Sequence, residues 1–296
     1  MDGHLTTVFG GTGFLGSRIV RQLATLGSRV RIASRRPQRP EWVTHPEAVE
    51  LVMADIRDEQ SVASAVAGAD SVVNAVSLYV PSRRHGSFED IHLHGAARVG
   101  RAARAAQVER LVLISGLGVD ANSPSAYVRA RMRGEDITRK VFPGAVAVRP
   151  SVLFGPDDAF LGALMRIARL PVIPLFGRGD VRLQPVLADD VARAVALLAR
   201  GEGDNHRVFT LGGAEVYTYC EIVERVLESL GRKRPLLPVP GAVWLALATL
   251  LKVLPNPPLT VDQVLMMQQD NVVAGNFGRF EHLGIEPESL AGFLRG

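Results

Sequence analysis

Hydrophobic positions in the first half of the chain alternate between two rhythms. Short apolar runs at Leu5–Phe9, Val30–Ala33, Val49–Val52, Ser71–Ala75, Leu111–Ile114 and Val146–Val148 read as strands. Between most of them apolar residues recur at helical spacing, over 14–26, 58–67, 88–106 and 126–141. Runs such as Val72-Val-Asn-Ala-Val76 and Leu111-Val-Leu-Ile114 have the continuous apolar character of strands covered on both faces. This β-α repetition predicts an α/β fold, a Rossmann-type doubly wound parallel sheet with right-handed crossovers and helices on both sides.

The rhythm breaks after about residue 150. Pro and Gly cluster in Arg149–Pro156 and Leu170–Gly179, and helical patterns follow at 189–200, 218–230, 241–254 and 260–268. We therefore expect a sheet domain over 1–150 and a smaller, mainly helical C-terminal lobe over 151–296, interwoven with the sheet edge. A pocket between the two is the natural place for a substrate or partner. The stretch 241–254, between Pro240 and Pro255, is apolar on every helical face. At ~1.5 Å per residue it reaches roughly 20 Å, short of a ~30 Å hydrocarbon core, so no transmembrane span is expected. The favoured reading is a buried helix; the alternative is a helix lying on a membrane or a partner.

Composition changes this picture little. Hydrophobic residues at 47% and charged residues at 22% of 296 describe a folded chain. The net charge is +4, and only Lys140, Lys233 and Lys252 among 34 basic residues are lysines. The arginines are scattered with no nucleic-acid signature among them, so no nucleic-acid partner is expected. Cys220 is the single cysteine, which rules out an internal disulfide. The first strand begins at once, leaving no room for a leader, and a cytoplasmic location is expected.

The candidate chemistry begins at Val8-Phe-Gly-Gly-Thr-Gly-Phe-Leu-Gly16, where Gly10, Gly13 and Gly16 fall at three-residue steps between a strand and a helix. Gly10 suits the tight turn, Gly13 has no Cβ to block a pyrophosphate, and Gly16 permits close helix packing; Thr12, Phe14 and Leu15 complete the loop. We expect this loop to hold a dinucleotide. A NAD site usually carries a carboxylate after the second strand, whereas this strand ends in Ser34-Arg35-Arg36. Two guanidiniums and a hydroxyl favour a 2′-phosphate, hence NADP(H) over NAD(H), with simple solvation of both arginines as the alternative. Asp55 and Ile56 after the third strand are assigned to adenine, and Asp58 to a helix cap. Asn74, Ala75 and Val76 end the fourth strand where the nicotinamide ribose would pass.

The glycine loop, Asp55, Tyr127, Arg149-Pro150 and Pro185-Val-Leu-Ala-Asp-Asp190 resemble the extended and atypical short-chain dehydrogenase/reductases nearly end to end. A narrower resemblance, to the NADPH-binding accessory subunit of respiratory complex I and its bacterial relatives, rests on longer blocks. These are Ile32-Ala-Ser-Arg-Arg36, Asn74-Ala-Val-Ser-Leu-Tyr79, Arg149-Pro-Ser-Val-Leu-Phe-Gly-Pro-Asp-Asp158, Phe176-Gly-Arg-Gly179 and Pro257-Pro-Leu-Thr260. The resemblance implies tightly held NADPH, a quinone-related or assembly role at the inner face of a membrane, and a respiratory or quinone-pathway partner.

Departures from the wider family bear on the chemistry. Its active members resemble a Ser/Thr, Tyr, Lys set, with Tyr and Lys four residues apart on one helix face. Here Tyr127 is followed at that spacing by Arg131, which keeps the charge and can hold a ribose but gives up no proton. Ser115 falls two residues before the expected hydroxyl position, which Leu117 takes. His92 stands where the family often has asparagine and reads as a packed or surface histidine, with a general-acid role as the alternative; it cannot share a helix face with His94, so no metal site is expected. Pro150 and Ser151 would pass the nicotinamide, Asp189 and Asp190 read as helix caps, and Tyr79 and Phe154 are candidates for the pocket mouth. The leading expectation is a bound nucleotide that is structural or regulatory. The alternative is an active NADPH-dependent reductase or epimerase using Tyr127 with Arg131.

Overall fold

Six apolar runs become parallel strands within about two residues of their expected ends, because each is short, rich in β-branched residues and closed by a turn. They are β1 Leu5–Phe9, β2 Arg29–Ser34, β3 Val49–Met53, β4 Ser71–Asn74, β5 Arg110–Ile114 and β6 Val146–Pro150. The computed structural model describes residues 3–43, 48–82, 84–203, 206–254 and 257–295. Pro255, the far boundary of the 241–254 stretch, lies outside them. The crossover helices are α1 Phe14–Thr25, α2 Glu59–Val66, α3 Ala96–Ala105 and α4 Ala126–Val141. One further strand, β11 Val208–Leu211, joins β6, so the sheet runs β11-β6-β5-β4-β1-β2-β3 with every pairing parallel. The strand order reverses direction between β1 and β4, and ligands of such sheets bind beyond the strand ends at that point.

Both faces of the sheet are covered. On one side Ile19, Val20 and Leu23 of α1 and Val191, Val195 and Leu198 of α6 (Ala188–Arg200) close over Val8, Ile32 and Val112. On the other, Val62 and Val66 of α2 and Val99 and Ala103 of α3 close over Phe9, Val72 and Leu111. Each fully buried aliphatic side chain contributes about 1.5–3 kcal/mol. The helical pattern at 88–106 begins as a π-helical turn, Glu89–Gly95, before α3. It packs tightly on α4: a Cβ on Gly134 would sit 1.8 Å from the His92 carbonyl oxygen.

The C-terminal half adds β7 Leu153–Phe154, α5 Ala159–Ile167, β8 Ile173–Phe176, β9 Arg182–Leu183, β10 Val186–Leu187, β12 Tyr217–Thr218, α7 Tyr219–Ser229, β13 Leu236–Val239, α8 Gly241–Leu251, α9 Val261–Met266 and α10 Leu290–Phe293. These short strands pair in twos, and a third core forms from Leu161, Ile173, Leu175, Tyr219, Ile222 and Val226. Phe154 is fully buried in this core and does not reach the pocket mouth.

Two further local expectations are corrected. Asp189 and Asp190 do not cap α6: the helix starts earlier, after Leu187, so both carboxylates fall in its first turn. Asp189 pairs with Arg18 at 3.3 Å, and Asp190 accepts from the Glu288 amide at 2.8 Å. Asp58 does cap α2, accepting from the Ser61 amide. The stretch 241–254 is not a buried helix, since only Ala248 of α8 is buried. With both helix faces apolar, periodicity carried no information about which one the fold covers.

Candidate functional site

At the β1/β4 switch point the chain leaves Phe9 and turns on Gly10, whose φ of 76° is open chiefly to glycine. The Gly10 carbonyl accepts from the Gly13 amide at 2.9 Å, which folds the loop back onto itself. Gly16 is required by this turn: a Cβ there would lie 2.0 Å from the Gly10 oxygen. Gly13 caps α1 without a side-chain hydrogen bond, and the first turn of the helix holds no acidic residue. The first amides of α1, with the positive end of its dipole, therefore remain available to an anion. Arg18, which the sequence reading did not single out, steadies the loop. It donates to the carbonyls of Phe14 and Pro156, both at 2.8 Å, and lies over the Phe14 ring.

At the end of β2, Arg35 and Arg36 are exposed, and neither makes a hydrogen bond or ion pair among the described residues. The buried Ser34 hydroxyl beside them has no partner. An orphaned hydroxyl beside two unengaged guanidiniums fits a phosphate-bearing ligand. Asp55 is engaged: both its oxygens accept from Arg57, at 2.6–3.1 Å. This hydrogen bonding, against a smaller opposing effect of burial, holds the Asp55 carboxyl below its usual range. An adenine contact would have to share that carboxylate. Ile56 is buried and faces the same cavity.

The other end of the site centres on Tyr127 in the first turn of α4. Its helix is capped by Ser125, and Asp262 of α9 accepts from the Ser125 hydroxyl at 2.6 Å and the Tyr127 amide at 3.2 Å. Around the buried ring lie Tyr79, stacked at 5.4 Å, with Phe88 and His92 edge-on at 5.5 and 5.3 Å. Arg131, also buried, donates from Nη1 to the Tyr127 hydroxyl at 2.8 Å and the Ser77 hydroxyl at 3.0 Å. Its Nη2 donates to the carbonyls of Ile114 and Ser115. Burial pushes the Tyr127 phenol well above its ordinary value, and the opposing charge of Arg131 does not cancel this. His92 Nε2 sits 3.1 Å from the Leu78 carbonyl, and burial, with the charge of Arg131, lowers its pKa to about 3. His92 is thus a neutral, packed histidine. The Ser115 hydroxyl is buried without a partner, and Ser115 and Leu117 both line the cavity, with Leu117 at the position where the wider family carries its hydroxyl.

One cavity of about 1510 Å³ joins these parts. It exceeds the ~300–1,000 Å³ of ordinary small-molecule pockets and is mostly apolar beyond the glycine loop. Gly10, Thr12, Gly13, Phe14, Leu15, Gly16, Ser34, Arg35, Arg36, Asp55, Ile56, Ala75, Val76, Tyr127, Arg131 and Pro150 all line it, as do Ser151 and Tyr79. Asn74 does not: it is buried behind the wall, accepts from the Val76 amide at 3.2 Å and faces a small void shared with His92 and Ser115. The sequence reading missed the far limb, lined by Phe160, Phe176, Trp244, Met266 and Met267, and it missed Asn271. Asn271 Nδ2 donates to the Leu117 carbonyl at 3.2 Å, and its Oδ1 accepts from the Ser151 hydroxyl at 2.6 Å. No single-residue signal marks Asn271, because its side-chain partners lie more than a hundred residues away.

Comparison with known proteins agrees with this geometry. A family model described as NAD(P)H-binding matches residues 10–152. The NADH-ubiquinone oxidoreductase 40 kDa subunit of Neurospora crassa mitochondria is 32% identical over 99% of this chain and 78% of its own length. Ceramide reductase of Caulobacter vibrioides is 32% identical over 80% of this chain and 74% of its own length. An NADPH-dependent quinone oxidoreductase from Escherichia coli, solved with NADPH, superposes with a TM-score of 0.76 over 98% of both chains. At 19% identity that likeness concerns the fold alone.

Proposed function

We propose that this chain, which belongs to the family of the mitochondrial NADH-ubiquinone oxidoreductase 40 kDa subunit, holds NADPH as a structural or regulatory ligand in a quinone-linked accessory protein. Its partner in this reading is a component of a respiratory or quinone pathway, met at a membrane surface. No helix among the described residues is long and apolar enough to cross a membrane.

The nucleotide reading assigns residues 1–150 to cofactor binding and 151–296 to the partner lobe. Gly10 to Gly16 would take the pyrophosphate on the α1 amides, with Ser34, Arg35 and Arg36 on the 2′-phosphate. Asp55 and Ile56 would meet adenine, and Ala75, Val76, Arg131 and Pro150 the nicotinamide half. When bound, NADPH supplies a hydride donor; whether that hydride is used depends on proton transfer by the chain. The chain's own groups argue against it. A proton-donating phenol works best with a pKa near the working pH, and Tyr127 is displaced upward. Its hydroxyl accepts from a guanidinium that cannot relay a proton, and no hydroxyl stands at Leu117.

The observation that carries the proposal is the buried Tyr127–Arg131 pair, fixed by four hydrogen bonds of Arg131. A ligand held by the native state alone stabilises it by RT ln(1 + [L]/Kd), about 4 kcal/mol at a thousandfold excess. Mass spectrometry of the purified protein tests the reading: NADPH should be present and should survive exposure to quinones. The runner-up is an active NADPH-dependent reductase with Tyr127 as donor. Two observations favour it: the spare apolar limb of the cavity, and the similarity to ceramide reductase. Substrate-dependent oxidation lost in Tyr127→Phe would establish it in place of the first.

A further inference from the structure

We propose that the outer face of α8, with the basic stretch leading into it, docks on an anionic lipid bilayer. This rests on the membrane-surface reading above and adds which face makes the contact and with what lipid chemistry.

The orientation of α8 is fixed from inside. The Trp244 indole donates to the Leu175 carbonyl at 2.9 Å, its ring lies 4.5 Å from Phe176, and Ala248 is fully buried. Val243, Leu247 and Leu250, four and then three residues apart, consequently share the outward face. Leu250 is 71% exposed and Val253, in the turn that follows, 86%. Leu237 and Pro238 of β13 are also exposed; that strand pairs with β8 along one edge only. Such a run of exposed large apolar side chains marks a docking surface.

Charge identifies the occupant. Residues 231–261 contain no Asp or Glu and carry Arg232, Lys233, Arg234 and Lys252. The neighbouring segment 159–179 also lacks carboxylates and carries Arg166, Arg169 and Arg178. Arg232 binds the Ala168 carbonyl at 3.1 Å, which brings the two segments together. They hold +7, while the remaining 27 basic and 30 acidic residues sum to −3. Within a lobe whose 14 basic and 16 acidic residues sum to −2, positive charge is thus concentrated in the two segments that flank the apolar helix. Protein interfaces are depleted of lysine, whereas an in-plane helix with an apolar face and Lys/Arg flanks suits anionic headgroups.

The test is flotation of the full chain with phosphatidylcholine vesicles, with and without phosphatidylglycerol. We expect binding at least about tenfold tighter to the anionic vesicles and weakened by added salt. Leu247→Glu/Leu250→Glu should abolish binding, and Lys233→Glu/Arg234→Glu should remove the anionic preference, with nucleotide content unchanged in both. Should the first variant fail to fold, the second, confined to exposed side chains, decides alone. Equal binding to both vesicle types, indifference to the charge variant, or no vesicle binding would overturn the proposal; the last would assign the face to a protein partner. Nucleotide content, read on the same samples, separates this failure from that of the function proposal.

Discussion

Arg131 donates to the Tyr127 hydroxyl at 2.8 Å from the next turn of the same helix, and both side chains are buried. The pair also ties α4 to the end of β5, because Arg131 binds the Ile114 and Ser115 carbonyls. Arg131→Ala strands these carbonyls and the phenol, so a loss of about 3 kcal/mol is expected in the denaturation midpoint. Arg131→Lys should not create quinone-dependent NADPH oxidation, since Leu117 still stands where a hydroxyl is needed. A tenfold gain in turnover would show that the arginine alone had silenced the site.

The two free guanidiniums after β2 make the cofactor preference testable. Arg35→Asp should weaken NADPH about tenfold to a hundredfold, the range of a lost charge-assisted contact, while NADH is spared. Titration of both nucleotides reads this directly. Unchanged NADPH affinity would remove the 2′-phosphate assignment.

The Gly16 contact predicts a loop that tolerates no side chain. A Cβ 2.0 Å from the Gly10 oxygen must displace backbone, so Gly16→Ala should lose the shift in Tm that added NADPH gives the parent protein. Retention of the full shift would mean that the loop does not carry the pyrophosphate.

Glu135 is completely buried and meets Arg149 with both oxygens, at 2.7 and 2.9 Å. Breaking this pair from one side leaves a largely buried charge, and Glu135→Gln should cost about 3 kcal/mol in urea denaturation. The double change Glu135→Leu/Arg149→Met should recover much of that loss. Equal damage from both would assign the cost to packing.

His92 sets an acid limit. Its pKa is about 3 in the fold and 6.5 without it, so the unfolded chain binds a proton first as pH falls. Stability held above about pH 6.5 is then lost towards pH 3, by up to about 1.4 kcal/mol per pH unit from this group. His92→Gln should flatten that slope; an unchanged slope would place the acid sensitivity elsewhere.

Much of this was legible in the sequence where signals are local. The first six strands are short apolar runs, α1 and α4 carry helical spacing, and the glycine loop sets its own geometry. What was missed is nonlocal. The four residues of β11 become a strand only by pairing with β6, about sixty residues back. Asp189 and Asp190 looked like caps because they precede the apolar helical pattern that opens at Val191, but the helix already starts at Ala188. The outward face of α8 has the same apolar character as its inner face, so only the Trp244 contacts reveal which is covered. The Tyr127 cluster draws on four separate stretches of chain, and neither Ser77 nor Asn271 carries a mark of its own.

The central claim is that the cavity holds NADPH without turning it over. The most direct measurement follows the nicotinamide absorbance of nucleotide-loaded protein in the presence of quinones and long-chain ketones, after mass spectrometry has identified the ligand. The account predicts bound NADPH whose absorbance persists in both the parent protein and Tyr127→Phe. Rapid oxidation in the parent protein, abolished by Tyr127→Phe, would contradict it.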